Sequence, residues 1–111
     1  MIAVIFEVVP EEGKKEEYLH IASSLKSELE MISGFISIER FQSLADPKKL
    51  LSLSFWKDED SIKEWRSRTI HRNAQQAGRN SVFEDYRLRV AAVIRDYGMS
   101  ERQEAPTDRI F

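Results

Sequence analysis

Residues 35–56 have the sequence FISIERFQSLADPKKLLSLSFW, in which a turn signature separates two strand-like runs. The turn is Ala45-Asp46-Pro47-Lys48, where aspartate and proline favour reversal of the chain. The flanking runs, Phe35 to Leu44 and Lys49 to Trp56, alternate apolar and polar residues with the two-residue period of a β-strand. The stretch therefore predicts a β-hairpin.

The two predicted strands each have unlike faces. In the first strand of the hairpin, Phe35 is expected on the face opposite Ile38. In the second strand of the hairpin, one face is apolar and consists of Leu51, Leu53 and Phe55. The opposite face has two hydroxyls and an indole, from Ser52, Ser54 and Trp56. Because Trp56 stands next to a charged turn, we expect it at the rim of the domain or in an interface.

A strand and a helix are predicted before the hairpin. Ile2 to Val9 is rich in β-branched and aromatic residues, is apolar on both faces and ends at Pro10. Lys14 to about Ile32 has apolar residues at spacings of three and four, the pattern of one amphipathic helix. We expect Gly34 to end this helix, because glycine tolerates the left-handed conformation that often follows a helix.

A second helical region and a last strand are predicted after the hairpin. The acidic residues from Asp58 onward favour a helix start, and Ile62 and Trp65 mark its buried side. The helical period weakens after Trp65, so we expect a break there and a further helical piece from about Ile70 to Ala77. Asp85 to Tyr97 alternates like a strand, and we expect Gly98 to end it.

The order of these elements defines the fold class. Two βαβ-like halves joined by a hairpin predict an α+β, ferredoxin-like split βαβ fold, with a four-stranded antiparallel sheet and both helices on one face. The chain of 111 residues has room for one such domain. We assign residues 1–98 to the domain and residues 99–111 to a polar C-terminal tail.

The predicted sheet has more apolar surface than its helices can cover. The first strand is apolar on both faces, and Leu51, Leu53 and Phe55 add to the excess. Monomeric proteins seldom expose such a continuous patch. We therefore expect a symmetric homodimer that packs sheet on sheet; the alternative is that the tail, or the segment before the last strand, covers the face.

The composition argues against several classes of protein. The net charge is −2, from 17 basic and 19 acidic residues, which provides no attraction for nucleic acid. The chain contains no cysteine, and its two histidines, His20 and His71, form no evident metal site, so we expect no metal. It shows no signal-peptide pattern and no apolar stretch of roughly 20 residues, so we expect a cytoplasmic protein with no membrane contact.

Candidate site residues lie between Trp65 and Arg79. If residues 70–77 are helical, His71 and Gln75 share a face with two very small residues, Ala74 and Gly78. A flat ligand could approach the two polar side chains there; alternatively, the small residues only permit tight packing, and the polar groups bond to nearby carbonyls. Trp65 is expected in the core, which is compatible with a role as a pocket wall.

Two further groups of polar residues are assigned to the surface. His20 lies off the apolar stripe of the first helix. Three arginines share one face of the last strand with Asp85, and we expect cross-strand ion pairs there, with anion binding as the alternative; they are Arg87, Arg89 and Arg95.

Several segments of the chain form a combined pattern that is typical of one known family. They are Ile2–Val9, Gly34-Phe35, Phe55-Trp56-Lys57-Asp58-Glu59, Trp65 and His71-Arg72-x-Ala74-Gln75-x-x-Gly78-Arg79. Through them the chain resembles the antibiotic biosynthesis monooxygenase (ABM) domain family over about residues 1–98. The resemblance implies a dimeric α+β barrel made of two ferredoxin-like units.

The resemblance also implies an activity: a cofactor-independent monooxygenase that acts on a small aromatic substrate, a phenol or hydroquinone, with O₂. In that branch of the family a base removes the phenol proton, and the anion reacts with O₂ directly. We assign the catalytic base to His71, and substrate binding to Gln75 and Arg79 as anchors and Trp65 as the wall. The alternatives are a non-enzymatic ligand-binding homodimer and a haem-binding or haem-degrading protein.

Haem degradation is the less expected alternative. That branch of the family has an asparagine on the first strand, where this chain has Phe6 and Glu7. Its haem-ligating histidine comes later than His71, at a point where this chain has Gln75.

Overall fold

The computed structural model describes residues 1–68 and 82–107, which contain four strands and three helices. The strands are β1 (Ile2–Pro10), β2 (Phe35–Gln42), β3 (Leu50–Trp56) and β4 (Phe83–Ala92). The helices are α1 (Lys15–Ser24), α2 (Lys26–Glu30) and α3 (Glu59–Ser67). All strands join one antiparallel sheet in the order β2-β3-β1-β4, which confirms the predicted α+β ferredoxin-like fold.

The first helical region is divided, so the prediction of one helix from Lys14 to Ile32 was wrong. The amide of Leu25 bonds to the carbonyl of Ala22, three residues back, at 3.3 Å. Just before this point the hydroxyls of Ser23 and Ser24 donate to the carbonyls of His20 and Ile21, at 3.0 and 2.6 Å. Serine hydroxyls that bond back to the helix backbone weaken and bend it, and the helix is interrupted between α1 and α2.

The start of β2 contains a bulge that changes which side chains share a face. Phe35 pairs with Trp56, whereas Ser37 pairs with Phe55, so Ile36 is the extra residue. An extra residue reverses the alternation on one side of the bulge. Phe35 therefore lies on the same face as Ile38, and its predicted position opposite Ile38 was wrong.

The last strand is shorter than the predicted range of Asp85 to Tyr97. Its partner β1 begins at Ile2, which pairs with Ala92, and the final backbone bond runs from the Val93 amide to the Met1 carbonyl at 3.0 Å. The strand therefore ends at Ala92 and not at Gly98.

Gly34 has a different role from the predicted one. A positive φ is found at Gly13, at 79°, in the turn between β1 and α1, and not at Gly34. A Cβ at Gly34 would overlap the Oγ of Ser61 in α3. Glycine is therefore required here because β2 begins in close contact with the helix.

The helices cover one face of the sheet through two apolar clusters. The Tyr18 cluster consists of Val8, Tyr18, Ala22, Leu50 and Val82; the Trp65 cluster consists of Leu29, Ile32, Trp56, Ile62 and Trp65. Trp56 is 2% exposed, so its predicted place at a rim or interface was wrong. The alternation of β3 turns its serines and Trp56 toward the helices, and its apolar residues toward the open face.

Candidate functional site

A polar band separates the two apolar clusters on the helix-facing side of the sheet. Along β3, Leu50 belongs to the Tyr18 cluster and Trp56 to the Trp65 cluster, and Ser52 and Ser54 lie between them. Both serines are buried, with exposures of 7% and 5%. Arg40 of β2 pairs with Ser52 and completes this band. The centre of the layer between sheet and helices thus contains hydroxyls and a guanidinium.

One end of the polar band is fixed by a buried hydrogen bond. The indole Nε1 of Trp56 donates to Ser54 Oγ over 2.9 Å. The same indole meets the ring of Phe35 edge-on, with centroids 5.2 Å apart. Since this bond satisfies the indole within β3, Trp56 serves to hold Ser54 in position.

The other end of the band is formed by Tyr18 and Arg40. Burial raises the pKa of the Tyr18 hydroxyl above its ordinary value, and the Arg40 guanidinium beside it acts in the opposite direction. The phenol is therefore neutral at neutral pH. The Nε atom of Arg40 is buried without a hydrogen-bond partner. This band therefore contains a positive charge next to neutral groups.

The band opens toward β4. Phe6 of β1 pairs with Ser52 on one side and with Leu88 on the other. Three apolar residues of β4 on this face are about half exposed: Tyr86 (47%), Leu88 (50%) and Val90 (43%). Apolar walls beside a polar band are the usual make-up of a small-molecule site.

The predicted site residues are only partly within the described chain. Trp65 is 7% exposed in the Trp65 cluster, which confirms its expected core position. His71, Gln75 and Arg79, like the predicted helix from Ile70 to Ala77, lie outside the described residues. The described residues on either side are Arg68, which bonds to Glu28 of α2 at 3.1 Å, and the fully buried Val82 of the Tyr18 cluster.

Sequence reasoning missed the residues of the polar band. The signal was present in β3, where serines alternate with large apolar residues. It was ambiguous, because alternation does not tell which face meets the helices. Arg40 gave no signal of its own, since an arginine in an edge strand is usually solvated.

The open face is the side of the sheet that the helices do not cover. It has an apolar half around Leu53 and Ile5 and a charged half around Glu7 and Arg89. In the charged half, Glu7 accepts a hydrogen bond from Arg89 at 3.2 Å and lies 3.7 Å from Lys49 Nζ. The hydrogen bond from Arg89 lowers the pKa of Glu7. Loss of solvent around the carboxylate opposes this effect, and the charge of Lys49 adds a smaller lowering effect. The cross-strand ion pair expected for Arg89 is thereby confirmed. His20 is exposed on α1, also as expected.

Three further observations apply to the described residues only. Within residues 1–68 and 82–107, no three His, Asp or Glu side chains are grouped as a metal site would require. None of the helices described has both the length and the apolar character needed to cross a membrane. The segment after β4 forms a shallow surface depression, where the Arg102 guanidinium lies 5.1 Å from the centre of the Tyr97 ring.

The chain folds as a ferredoxin-like α+β domain, and the polar band between its sheet and helices is the candidate site. The model of the family described as antibiotic biosynthesis monooxygenase matches residues 1–77. Jasmonate monooxygenase ABM from Pyricularia oryzae is 46% identical over 107 residues, which are 96% of this chain and 50% of the relative. The uncharacterized protein YqjZ from Bacillus subtilis is 34% identical over 93 residues, 84% of this chain and 79% of the relative.

This chain belongs to the antibiotic biosynthesis monooxygenase family. It spans half the length of the Pyricularia oryzae relative. A solved structure from Mycobacterium tuberculosis superposes with a TM-score of 0.78 at 13% identity, covering 87% of this chain and 98% of the other. At that identity the likeness supports the fold alone.

Proposed function

We propose that this chain is a cofactor-independent monooxygenase that acts on a small aromatic substrate, a phenol or hydroquinone, with O₂. The observation that carries the proposal is membership of the family, together with 46% identity to a relative named a monooxygenase. The polar band adds a chemical argument. Buried hydroxyls between apolar walls suit a flat ring with one or two oxygens, and an apolar enclosure also suits O₂.

The reaction needs a base and no added reductant. In the proposed step a phenol loses its proton to the base, and the electron-rich anion reduces O₂. One oxygen atom forms a new C=O bond on the ring and the other leaves as water, so that phenol and O₂ give quinone and water. The ring supplies all the electrons, which is why neither metal nor flavin is required.

We assign the roles in this step as the sequence predicts them. His71 is the base, Gln75 and Arg79 bind a substrate oxygen, and Trp65 forms the wall of the site. The burial of Trp65 beside Trp56, whose indole fixes Ser54, supports a wall position next to the polar band. We also propose that the chain works as a homodimer through the open face of its sheet.

The test is oxygen consumption with a panel of phenols and hydroquinones, run with metal chelator and without flavin. We expect uptake of one O₂ per quinone, and mass spectrometry with ¹⁸O₂ should find one labelled atom in the product. A jasmonate belongs in the same panel, because the Pyricularia oryzae relative is named for that substrate. Measurable binding of panel compounds without any O₂ uptake would contradict the proposal and favour a ligand-binding homodimer.

A further inference from the structure

Arg40 extends a positive charge from an edge strand into the layer between sheet and helices. It is part of a row that crosses the sheet through paired residues: Arg40, Ser52, Phe6 and Leu88. Three steps between neighbouring strands, each about 4.8 Å, make this row about 14 Å long. A charged group and a hydroxyl stand at one end of the row, and two apolar side chains at the other.

Nothing within the described residues neutralises this charge. In residues 1–68 and 82–107, the carboxylates paired with arginines are Glu28 and Glu64, both with Arg68, and Glu7 with Arg89. Arg40 has instead the neutral phenol of Tyr18 beside it. The sequence from Thr69 to Ser81 contains no aspartate or glutamate, so this stretch offers no carboxylate to Arg40 either.

A guanidinium with no carboxylate partner among the described residues requires an explanation. Its Nε donor is buried and unsatisfied, and a partly buried charge without a counter-ion is costly. A guanidinium binds a carboxylate through two parallel hydrogen bonds, which would satisfy Nε and one terminal nitrogen together. The nearby Ser52 hydroxyl can donate a further bond to the same group.

We propose that Arg40 binds the carboxylate of an organic acid, whose apolar or aromatic body lies along Phe6 toward Leu88. Arg40 is thereby a substrate-binding residue and determines specificity for acids. This inference rests on the proposed function in so far as the acid is the substrate: the expected substrate is a phenol that carries a carboxylate. The binding itself does not depend on turnover.

The experiment is a calorimetric titration under anaerobic conditions with two matched probes, 3-(4-hydroxyphenyl)propanoate and its methyl ester. They differ in charge and share the same body. We expect the acid to bind at least about tenfold more tightly than the ester, since a hydrogen bond to a charged group contributes roughly 10- to 100-fold. Arg40→Gln should remove this preference by weakening the acid alone, and Arg40→Lys should keep part of it. Arg95→Gln, which changes an exposed arginine in the segment after β4, should leave both affinities unchanged.

Several results would overturn the proposal. They are equal binding of acid and ester, equal weakening of both by Arg40→Gln, and binding of neither probe at millimolar concentration. If Arg40→Gln fails to fold, Arg40→Lys decides the question: a reduced acid preference supports the proposal, and an unchanged preference overturns it. A loss of dimer mass in Arg40→Gln without a change in binding would assign the guanidinium to a carboxylate of a second copy. Because no O₂ is present, failure of the monooxygenase proposal leaves these outcomes unaffected.

Discussion

Gly34 directly precedes β2 and lies against α3, at a point where no side chain fits. A methyl group there would overlap Ser61 Oγ and lie 2.5 Å from Ser61 Cβ. We therefore expect Gly34→Ala to lower the free energy of unfolding by about 1–3 kcal/mol, the usual effect of overpacking. Urea unfolding followed by circular dichroism measures this difference.

Gly98 provides the matched control for this substitution. A Cβ at Gly98 meets no atom within 4 Å, and its φ is not left-handed, so Gly98→Ala should leave the free energy of unfolding unchanged. Adding Ser61→Gly to Gly34→Ala should restore part of the lost stability, because it removes the overlapping atoms. Equal stability of Gly34→Ala and the wild type would mean that α3 moves away from β2 without cost.

His71 is the residue on which the proposed chemistry depends. If it is the base, the rate of phenol oxidation should rise with pH through the range in which histidine ordinarily loses its proton, about 6.5. His71→Ala should lower the rate by roughly 10²–10⁴-fold, the usual effect of losing a general base. Initial rates of O₂ uptake at several pH values measure both effects.

His20 is the internal control, because it is exposed on α1. His20→Ala should keep the wild-type rate and pH profile. A folded His71→Ala protein with wild-type turnover would remove the histidine from the mechanism, which would then depend on confinement of the substrate beside Trp65.

At the scale of elements, α3 begins with a side-chain cap that titrates. The carboxylate of Asp58 accepts bonds from the Ser61 hydroxyl at 2.8 Å and the Ser61 amide at 2.9 Å. These two bonds lower the pKa of Asp58 below its ordinary value. The stabilisation is therefore complete above the pKa of the unfolded state and is lost as the pH falls through the folded pKa.

The variant Asp58→Asn separates this titration from the cap geometry. Asparagine can still accept the two bonds but does not ionise in this range. The midpoint of thermal unfolding should therefore fall less steeply between neutral pH and pH 3 in Asp58→Asn than in the wild type. Asp96→Asn, an exposed change, should follow the wild-type curve. Identical curves for all three proteins would show that the cap does not contribute to acid sensitivity.

The elements that sequence reasoning predicted are those with a clear period. The hairpin, the first strand and the N-cap of α3 at Asp58 follow from alternation, β-branched residues and capping residues. The bulge at Ile36 could not be predicted, because an inserted residue leaves composition unchanged and only pairing reveals it. The break at Leu25 depends on hydrogen bonds that two serine hydroxyls donate to backbone carbonyls.

The candidate site was less predictable than the elements. Trp65 was recognisable from its spacing to Ile62 in an amphipathic helix. Arg40 and Ser52 become neighbours only through the pairing of β2 with β3, and the bulge sets which face they share. A polar residue in an edge strand is usually solvated, so its inward position needs the register, which the sequence pattern does not specify.

At the scale of the whole molecule, the open face of the sheet determines how two copies could meet. Its apolar half is centred on Leu53, which pairs with Ile5 on one side and Glu39 on the other; neighbouring residues of this half are Ala3, Phe55 and Ala91. Its charged half contains residues of both signs: Glu7, Asp85, Lys49, Arg87 and Arg89. A two-fold axis parallel to the two sheets, in the plane between them, would bring the open faces of two copies into contact.

The expected outcome is a homodimer, with a mass in light scattering of twice 13.0 kDa at micromolar concentration. Burial of several hundred Å² of apolar surface contributes on the order of 10 kcal/mol before the cost of association. Leu53→Glu should abolish the dimer or cause aggregation, because it places an unpaired charge in the centre of the apolar half.

Met31→Glu is the matched control for Leu53→Glu. Met31 is 68% exposed at the end of α2, in the helical layer on the other side of the sheet. Met31→Glu replaces an equally apolar side chain by the same charged one and should leave the mass at the dimer value. A monomeric wild type that binds no apolar dye would contradict sheet-on-sheet packing, because the apolar half of the open face would then be covered within one chain. In that case Leu53→Glu should lower the stability of the monomer and Met31→Glu should not, so unfolding of the same two variants would identify an internal cover.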